Sequence, residues 1–330
     1  MNILSFRQKM LPLCIAALLA CAGARPLKVP EYPMPTERKT GTIILLGDTQ
    51  RTLWVEFWRE QNDSIREILF PQILTHQPVA IVHLGDAVSW GASMSEWNYF
   101  DRISKPVRDA GVGCINVMGN HEYYGSNATA FQQISARFPI MRRSLAENRS
   151  WNCTVVDSIA ILVLDSNIGE LTDEQKAAQT TWLDSTLHAL HSNSSVRNVV
   201  LCTHHPAYTN STVAEEVEEV QEFIRNARRI STKVTLAASG HAHTYEHFRI
   251  DNKFNVIVTG GGGGPRQELH PPEDSIHYDT YKGGAIRDFN YCTIRRSNDT
   301  LHVAMMHFDE QSKTWRQGDR FDAVPNQYTK

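Results

Sequence analysis

The sequence predicts an α/β protein in which two β-sheets pack together and helices cover their outer faces. Short apolar runs that end at glycine alternate with helical stretches in the first part of the chain, as in a parallel sheet. Later apolar runs include hairpins, which favour a second sheet. The chain has 330 residues, of which 41% are hydrophobic and 21% charged, so it can bury a large core.

The first part of the chain follows a strand–turn–helix order. The apolar runs at 42–46, 79–84 and 114–118 are predicted to be buried strands, because each is short and is followed at once by glycine. Helical periodicity covers 52–74 and 95–110, between these strands. Strands separated by helices in this way pair in parallel.

The second part mixes hairpins with strand–helix pairs. Its predicted elements are, in order, a hairpin of strands 153–156 and 159–164, a helix over 171–191, a strand over 196–202, a helix over 213–230, strands over 234–238 and 254–259, and a closing hairpin of strands 289–295 and 301–308. No internal repeat or linker interrupts them, so one domain is predicted over 41–330.

Residues 1–24 are predicted to be a secretory signal peptide. Arg7 and Lys9 precede an apolar run at 10–24 that is too short and too rich in small residues at its end to be a spanning helix. The protein is therefore predicted to be exported, with a periplasmic, lipid-anchored or secreted location.

Two ends of the signal peptide stay open. Residues 22–24, Ala-Gly-Ala, fit a small-residue cleavage site, whereas 18–21 resembles a bacterial lipobox that would make Cys21 a lipid anchor. The proline-rich stretch 25–40 is predicted to be an extended tether before the domain.

The charge of the chain bears on its partners, and the positions of two cysteines bear on their chemical state. The formal net charge is -3 and basic residues do not cluster, so no nucleic-acid partner is expected. Cys114 and Cys202 lie inside predicted strands, and buried free thiols are the simplest interpretation of them.

Chemically active side chains follow five of the predicted strands. The loops are Gly47-Asp48-Thr49-Gln50, Gly85-Asp86, Gly119-Asn120-His121-Glu122, His204-His205-Pro206 and Gly240-His241-Ala242-His243. Ligand sites of α/β sheets lie off the carboxyl ends of strands, so these loops are expected to meet at one edge. Carboxylates brought together repel each other unless cations neutralise them. Carboxylate, imidazole and amide ligands together suit Mn, Fe, Zn or Mg, and two such ions form a clamp for displacement at phosphorus.

Each residue also has a plainer interpretation. Gly-Asp and Gly-Asn pairs are common in turns, so Asp48, Asp86 and Asn120 could be turn residues. His205 is open between a supporting contact and a tentative substrate contact. His83 lies inside a strand and is expected to be a core residue. The run 260–264, five glycines, is interpreted as a flexible loop near the site, with amides that approach phosphate as the alternative.

The five motifs in this order resemble the calcineurin-like metallophosphoesterase superfamily over about 42–243. The resemblance implies a four-layer αββα sandwich of two mixed sheets flanked by helices. It implies a dinuclear site with Asp48, Asp86 and His243 on the first metal and Asp86, Asn120, His204 and His241 on the second. It also implies that His121 protonates the leaving oxygen, or steadies the phosphoryl group, and that a metal-bridging hydroxide is the nucleophile.

Within the superfamily, the motifs look most like the purple acid phosphatase branch. That branch has a metal-binding tyrosine three residues after the bridging aspartate, where this chain has Ser89. The common Asp-x-His motif is Asp-x-Gln here, so Gln50 either binds the first metal through its amide oxygen or orients water. A purple ferric site is not expected, and the metal pair stays open.

Together, these features predict an exported, dinuclear-metal-dependent hydrolase of small phosphate esters, with monoesters favoured. The first alternative is a phosphodiesterase or nucleotide hydrolase. The second is a catalytically weak metal- or ligand-binding surface protein on the same fold, which the departures at Gln50 and Ser89 allow.

Overall fold

The structure, a computed structural model, describes residues 29–37, 39–251 and 253–325. The predicted signal peptide and Cys21 lie outside the described residues. The described part of the predicted tether packs against the domain. Tyr32 is buried, its ring stacks on Phe138 with centroids 5.0 Å apart, and its N–H donates to the carbonyl of Arg137.

The described residues form twelve strands and seven α-helices. The strands are β1 (Thr42–Leu46), β2 (Pro78–His83), β3 (Gly113–Asn116), β4 (Asn152–Val156), β5 (Ile159–Val163), β6 (Asn198–Cys202), β7 (Val234–Ser239), β8 (Tyr245–Ile250), β9 (Phe254–Thr259), β10 (Asn290–Ser297), β11 (Thr300–Asp309) and β12 (Thr314–Ala323). The helices are α1 (Asp63–Leu74), α2 (Met94–Ile103), α3 (Lys105–Asp109), α4 (Asn127–Arg137), α5 (Pro139–Ala146), α6 (Asp173–Ser192) and α7 (Glu218–Ile230).

The strands form two six-stranded mixed sheets. The first has the order β12-β11-β10-β1-β2-β3, with β1, β2 and β3 parallel and the remaining pairs antiparallel. The second has the order β4-β5-β6-β7-β9-β8, in which β5, β6, β7 and β9 are parallel. The predicted α/β class with two sheets is therefore confirmed.

Three apolar cores separate four layers. Ile43 and Leu45 of β1 share a core with Ile161 of β5, so the two sheets face each other. The intervening residue of β1, Ile44, points to the opposite face and joins a core with the helices that cover the first sheet. A third core packs the second sheet against α6 and α7. This is the αββα sandwich that the resemblance implies.

Two helices begin later than predicted. The helix predicted over 52–74 begins at Asp63, and only Trp54–Glu56 forms a 3₁₀ turn before it. That turn has no buried residue, and the Thr52 hydroxyl and the Glu60 carbonyl close the segment into a loop, so no core stabilises a longer helix. The helix predicted over 213–230 begins at Glu218.

Four elements have no sequence prediction. They are α4, α5, β8 and β12. The alternation in β8 is hidden by Glu246 and His247, which are buried but hydrogen-bonded, Glu246 to Thr209 and His247 to Asn255 and Asp319. Strand β12 lies at a sheet edge and is mostly polar, so it carries little apolar pattern.

The described residues also show the state of two cysteines and the apolar character of the helices. Cys114 and Cys202 are buried free thiols, as predicted. None of the helices in the described ranges combines the length and the apolar character that crossing a bilayer requires.

Candidate metal centre and active site

The loops after β1, β2, β3, β6 and β7 meet at one edge of the sandwich. Ligand atoms of Asp48, Asp86 and His204 all lie within 4.8 Å of one another, as do those of His204, His205 and His241. Since the first sheet supplies both aspartates and the second supplies the histidines, the site exists only where the carboxyl ends of the two sheets come together.

The remaining predicted residues join the same cluster. The Asn120 side-chain oxygen lies 3.0 Å from His204 Nε2, and His241 Nδ1 lies 3.1 Å from the same nitrogen. His243 Nε2 lies 3.5 Å from Asp48 Oδ1. The structure therefore brings together every residue that the motifs predict for the metal site.

Backbone carbonyls fix which nitrogen of each histidine faces the site. His204 Nδ1 donates to the Leu84 carbonyl at 2.8 Å, and His243 Nδ1 donates to the Pro265 carbonyl at 2.7 Å. In both rings Nε2 is left to face the carboxylates. Metal-ligating histidines are usually held in this way, because the outer hydrogen bond sets the ring orientation and raises ligand basicity.

Four of the predicted ligands have left-handed backbone conformations. The φ angles are 63° at Asp48, 54° at Asp86, 66° at His241 and 43° at His243. Residues other than glycine rarely adopt such angles, and each costs on the order of 1–3 kcal/mol. Backbone strain concentrated at one cluster of polar side chains is typical of a functional site.

Glycines let the loops approach closely. A Cβ atom on Gly119 would lie 2.2 Å from Asp86 Oδ1, and one on Gly240 would lie 2.5 Å from Asp48 Oδ2. Glycine is therefore required at positions 119 and 240, because any side chain there would collide with the carboxylate of another loop.

The charges of the site favour a cation. Burial opposes ionisation of Asp86, but His204 and His121 hold its pKa well below its usual range. Burial alone would lower the pKa of His204, but the carboxylates of Asp86 and Asp48 raise it to about 10. A positive charge between these side chains is thus strongly stabilised, and a bound metal ion would supply such a charge.

The donor set fits a metal pair. Within the described residues, Asp48 Oδ1 and Gln50 Oε1 are buried without a hydrogen-bond partner, and buried polar atoms without one are rare. The ligand atoms that converge are carboxylate oxygens, imidazole nitrogens and an amide oxygen, which suit Mn, Fe, Zn or Mg. Asp48, Asp86 and His243 would hold one ion, and Asp86, Asn120, His204 and His241 the other.

Gln50 lies inside this cluster. Its side-chain nitrogen is 3.1 Å from Asp86 Oδ2 and 2.9 Å from His243 Nε2. The amide oxygen and nitrogen exchange places by a half-turn of the amide, and that turn would direct Oε1 towards the same atoms. Coordination through Oε1 stays a prediction.

The His121 ring is held by the backbone of residue 89 and not by the serine side chain. His121 Nδ1 donates to the Ser89 backbone carbonyl at 2.8 Å, which leaves Nε2 3.8 Å from Asp86 Oδ2. The Ser89 hydroxyl donates instead to Glu96, at 2.8 Å. A backbone carbonyl thus orients the His121 ring. The ring therefore keeps a hydrogen-bond partner even though residue 89 is a serine.

Ser89→Ala is therefore expected to change kcat by less than about threefold, because the orienting carbonyl remains and only the contact with Glu96 is lost. Steady-state kinetics on a phosphomonoester would measure this. Glu96→Gln, which weakens the same contact from the other side, is the matched control. A hundredfold loss in Ser89→Ala alone would mean that the hydroxyl acts on His121.

Sequence reasoning missed the role of Glu122. Its carboxylate accepts the backbone N–H groups of Asp86 at 2.8 Å, Ala87 at 2.8 Å and Gly119 at 2.7 Å. Burial and the Asp86 charge raise the pKa of Glu122 to about 8, whereas these donors act in the opposite direction. Glu122 thus ties the loop that carries Asp86 to the loop that carries His121, and its place directly after His121 was the only signal.

His205 lies beside the candidate ligands. Its ring centroid is 4.4 Å from that of His241. Ser166 Oγ accepts the backbone N–H of His205 at 2.9 Å and also lies 2.9 Å from its Nδ1. Burial, followed by the charge of His204, lowers the pKa of His205 to about 3, so the ring is a neutral N–H donor.

The glycine run 260–264 is not a flexible loop. It is buried, and the N–H groups of Gly260, Gly262 and Gly264 donate to Thr244, Gly47 and Asp48. Those amides are therefore not free to approach a phosphate, and the run instead packs beneath the site. His83 is a buried core residue, as expected, with Nε2 3.0 Å from the Thr49 hydroxyl.

Comparison with known proteins decides the family. A model of calcineurin-like phosphoesterases matches residues 41–245, which is more than half of the chain. The chain belongs to the calcineurin-like phosphoesterase family. The resemblance seen in the motifs is thereby confirmed, and the family supports a hydrolase of the phosphoesterase kind that typically binds two divalent metals.

Solved structures similar to this calcineurin-like phosphoesterase share its fold. A purple acid phosphatase from yellow lupin matches with a TM-score of 0.66 and 16% identity, over 89% of this chain and 56% of the lupin chain. A dimetal phosphatase from Danio rerio matches with a TM-score of 0.60 and 14% identity, over 87% and 99% of the two chains. The match thus spans little more than half of the lupin protein.

The anchor protein GAP50 of the Plasmodium inner membrane complex also shares the fold, with a TM-score of 0.61 and 13% identity, over 87% of this chain and 90% of the other. Identities this low establish the fold of the calcineurin-like phosphoesterase and not its substrate. No curated protein matches it in sequence.

Proposed function

We propose that this calcineurin-like phosphoesterase is an exported, dinuclear-metal-dependent phosphomonoesterase. The observation that carries the proposal is the convergence of two carboxylates, an asparagine and three histidines at the joint edge of the two sheets, with His121 directed at the same point. Export is proposed from the apolar run at 10–24 and is independent of the activity.

The residues of the site have separate tasks in this proposal. Bound metal ions would supply a Lewis acid and a water of lowered pKa for attack at phosphorus. His205, a neutral N–H donor, would bind a phosphoryl oxygen. His121, oriented by the Ser89 carbonyl, would give its Nε2 proton to the leaving oxygen.

A second candidate is a metal- or ligand-binding protein without strong catalysis. The protein from Plasmodium with the same fold is described as an anchor, and Gln50 replaces a histidine of the common motif. The convergence of the remaining predicted ligands and an oriented His121 favour the enzyme, because neither is needed for a docking surface.

The test is hydrolysis of a phosphomonoester and a phosphodiester by protein stripped of metal and then given Mn, Fe, Zn or Mg singly. At least about a hundredfold restoration by one metal, larger for the monoester, is expected from the Lewis-acid and nucleophile contributions. Uptake of two metals without turnover of either ester would overturn the enzyme and support the binding protein. A larger rate on the diester would overturn only the monoester preference.

A further inference from the structure

Two aromatic rings extend outward from the proton carrier of the site. The ring of Tyr124 lies 4.5 Å from that of His121, measured between centroids, and the ring of Trp90 lies 5.6 Å from that of Tyr124. Trp90 is 44% exposed although it is large and apolar, and Tyr124 is partly exposed. We call this pair, Trp90 and Tyr124, the aromatic wall.

The aromatic wall is held rigidly by the two loops that carry it. The N–H of Gly91 donates to the His121 carbonyl at 2.9 Å, and the N–H of Ala92 donates to the Tyr124 carbonyl at 3.1 Å. A Cβ atom on Gly125 would lie 2.6 Å from the indole nitrogen of Trp90, so only glycine leaves room for that ring. The Trp90 ring is therefore held in place by the surrounding backbone, although part of its surface is exposed to solvent.

The aromatic wall is also fixed relative to the metal site. The Asn120 side-chain nitrogen donates to the Tyr124 hydroxyl at 3.1 Å, while the Asn120 oxygen faces His204. Tyr124 thus stands between a predicted metal ligand and Trp90. Because His121 is the group that would meet the leaving oxygen, the wall lies on the side from which the leaving group departs.

We propose that Trp90 and Tyr124 form a subsite for a planar aromatic leaving group of the phosphate ester. This rests on the proposed function and adds its substrate class. Flat π systems stack or meet edge to face with aromatic side chains, whereas saturated rings of equal size gain only apolar burial. The planar group is either an aryl ring or a nucleobase, and both share the chemistry that the wall recognises.

The reaction at this subsite is ordinary ester hydrolysis. Water adds to phosphorus and gives up one proton, the bond from phosphorus to the leaving oxygen breaks with its electron pair on that oxygen, and His121 transfers a proton to that oxygen. The proton released by the water replaces the one that His121 gives. The products are inorganic phosphate and an alcohol whose aromatic part rests on the wall.

Two substrate pairs test the proposal without changing the reactivity of the leaving oxygen. Benzyl phosphate and cyclohexylmethyl phosphate differ in planarity, and AMP and ribose 5-phosphate differ only by a base. The planar member of at least one pair is expected to have a kcat/KM roughly tenfold higher, which corresponds to one good aromatic contact. A preference in the first pair alone identifies an aryl group, and one in the second alone identifies a nucleobase.

Variants of Trp90 distinguish a contribution of the aromatic wall from a general change in activity. Trp90→Leu is expected to remove most of the preference for the planar member, whereas Trp90→Phe keeps a flat ring and most of the preference. Trp54→Leu is the matched control, because Trp54 is more exposed, at 85%, and lies outside the wall, so the preference should persist. Benzylphosphonate and cyclohexylmethylphosphonate, which are not hydrolysed, give inhibition or binding constants as a second measurement.

The outcomes distinguish the two proposals. Equal rates and equal phosphonate affinities within each pair, or a preference that Trp90→Leu retains, would overturn the aromatic subsite and leave the phosphoesterase intact. If no ester is hydrolysed with any metal, the proposed function fails. The phosphonate affinities and the Trp90 variants then still decide whether the wall binds planar groups.

Discussion

Replacing Asp86 with asparagine is expected to lower kcat/KM for phosphate esters by roughly a thousandfold, because losing a metal site removes several kcal/mol of transition-state stabilisation. Asp86 is buried, with Oδ1 3.4 Å from His204 Nε2 and Oδ2 3.1 Å from the Gln50 amide nitrogen. It is therefore the carboxylate placed between both groups of ligands. Asparagine preserves its size and one oxygen but removes its charge.

Asp86→Asn should also distinguish the contribution of Asp86 to metal binding from its contribution to folding stability. Without metal, His204 and His121 hold the pKa of Asp86 well below its usual range, so the ionised carboxylate stabilises the folded chain and the metal-free variant is expected to be less stable than the metal-free wild type. A metal at a hundred times its Kd stabilises a protein by about 2.7 kcal/mol, and the variant should lose most of that gain. Thermal unfolding with and without metal measures both effects.

The control for Asp86→Asn is Asp109→Asn, because Asp109 has a half-exposed carboxylate that pairs with Lys105 at the surface and lies outside every motif that carries a predicted ligand. It should leave activity, metal content and the metal-induced rise in melting temperature unchanged. Asp86→Asn protein that binds two metals per chain and keeps more than a tenth of the activity would show that Asp86 is not a ligand.

The sequence predicts well which side chains meet at the site, because each of them follows a strand in the chain. Each of Asp48, Asp86 and Asn120 comes directly after glycine at the end of a short apolar strand, and parallel strands place such ends at one edge. The meeting of the two sheets at that edge is not local, however, and the sequence supports it only through the general position of ligand sites in α/β sheets and through the family resemblance. The same limit applies to β12, whose place is set by antiparallel pairing with β11.

Contacts made by the backbone could not be predicted. The Ser89 carbonyl orients His121, and the Glu122 carboxylate collects three amide groups, although the identity of residue 89 says nothing about the first contact. The exposed tryptophan of the wall is an intermediate case. The sequence places Trp90 and Tyr124 beside the motifs, where they could line the pocket or pack as aromatic residues, and only the folded chain shows their contact with each other.

His121→Ala is expected to lower kcat by about 10²- to 10⁴-fold on an alkyl phosphate while the metal content stays unchanged, since the proposed function makes His121 a proton donor and not a ligand. The expected signature is the dependence on the leaving group. A 4-nitrophenyl leaving oxygen is stable without a proton, so its ester should lose far less rate than the alkyl ester does. Added imidazole should restore part of the alkyl rate.

These measurements distinguish three roles of His121: proton donor, contact to the phosphoryl group and metal ligand. If it steadied the phosphoryl group, both esters would lose rate equally, because that group is the same in each. If it were a ligand, one metal per chain would be lost with the activity. His188→Ala, on the exposed face of α6, is the matched control and should change neither rate nor metal content. A strong loss confined to the poor leaving group would assign the proton to Nε2 of His121, the nitrogen that the Ser89 carbonyl leaves free to face Asp86.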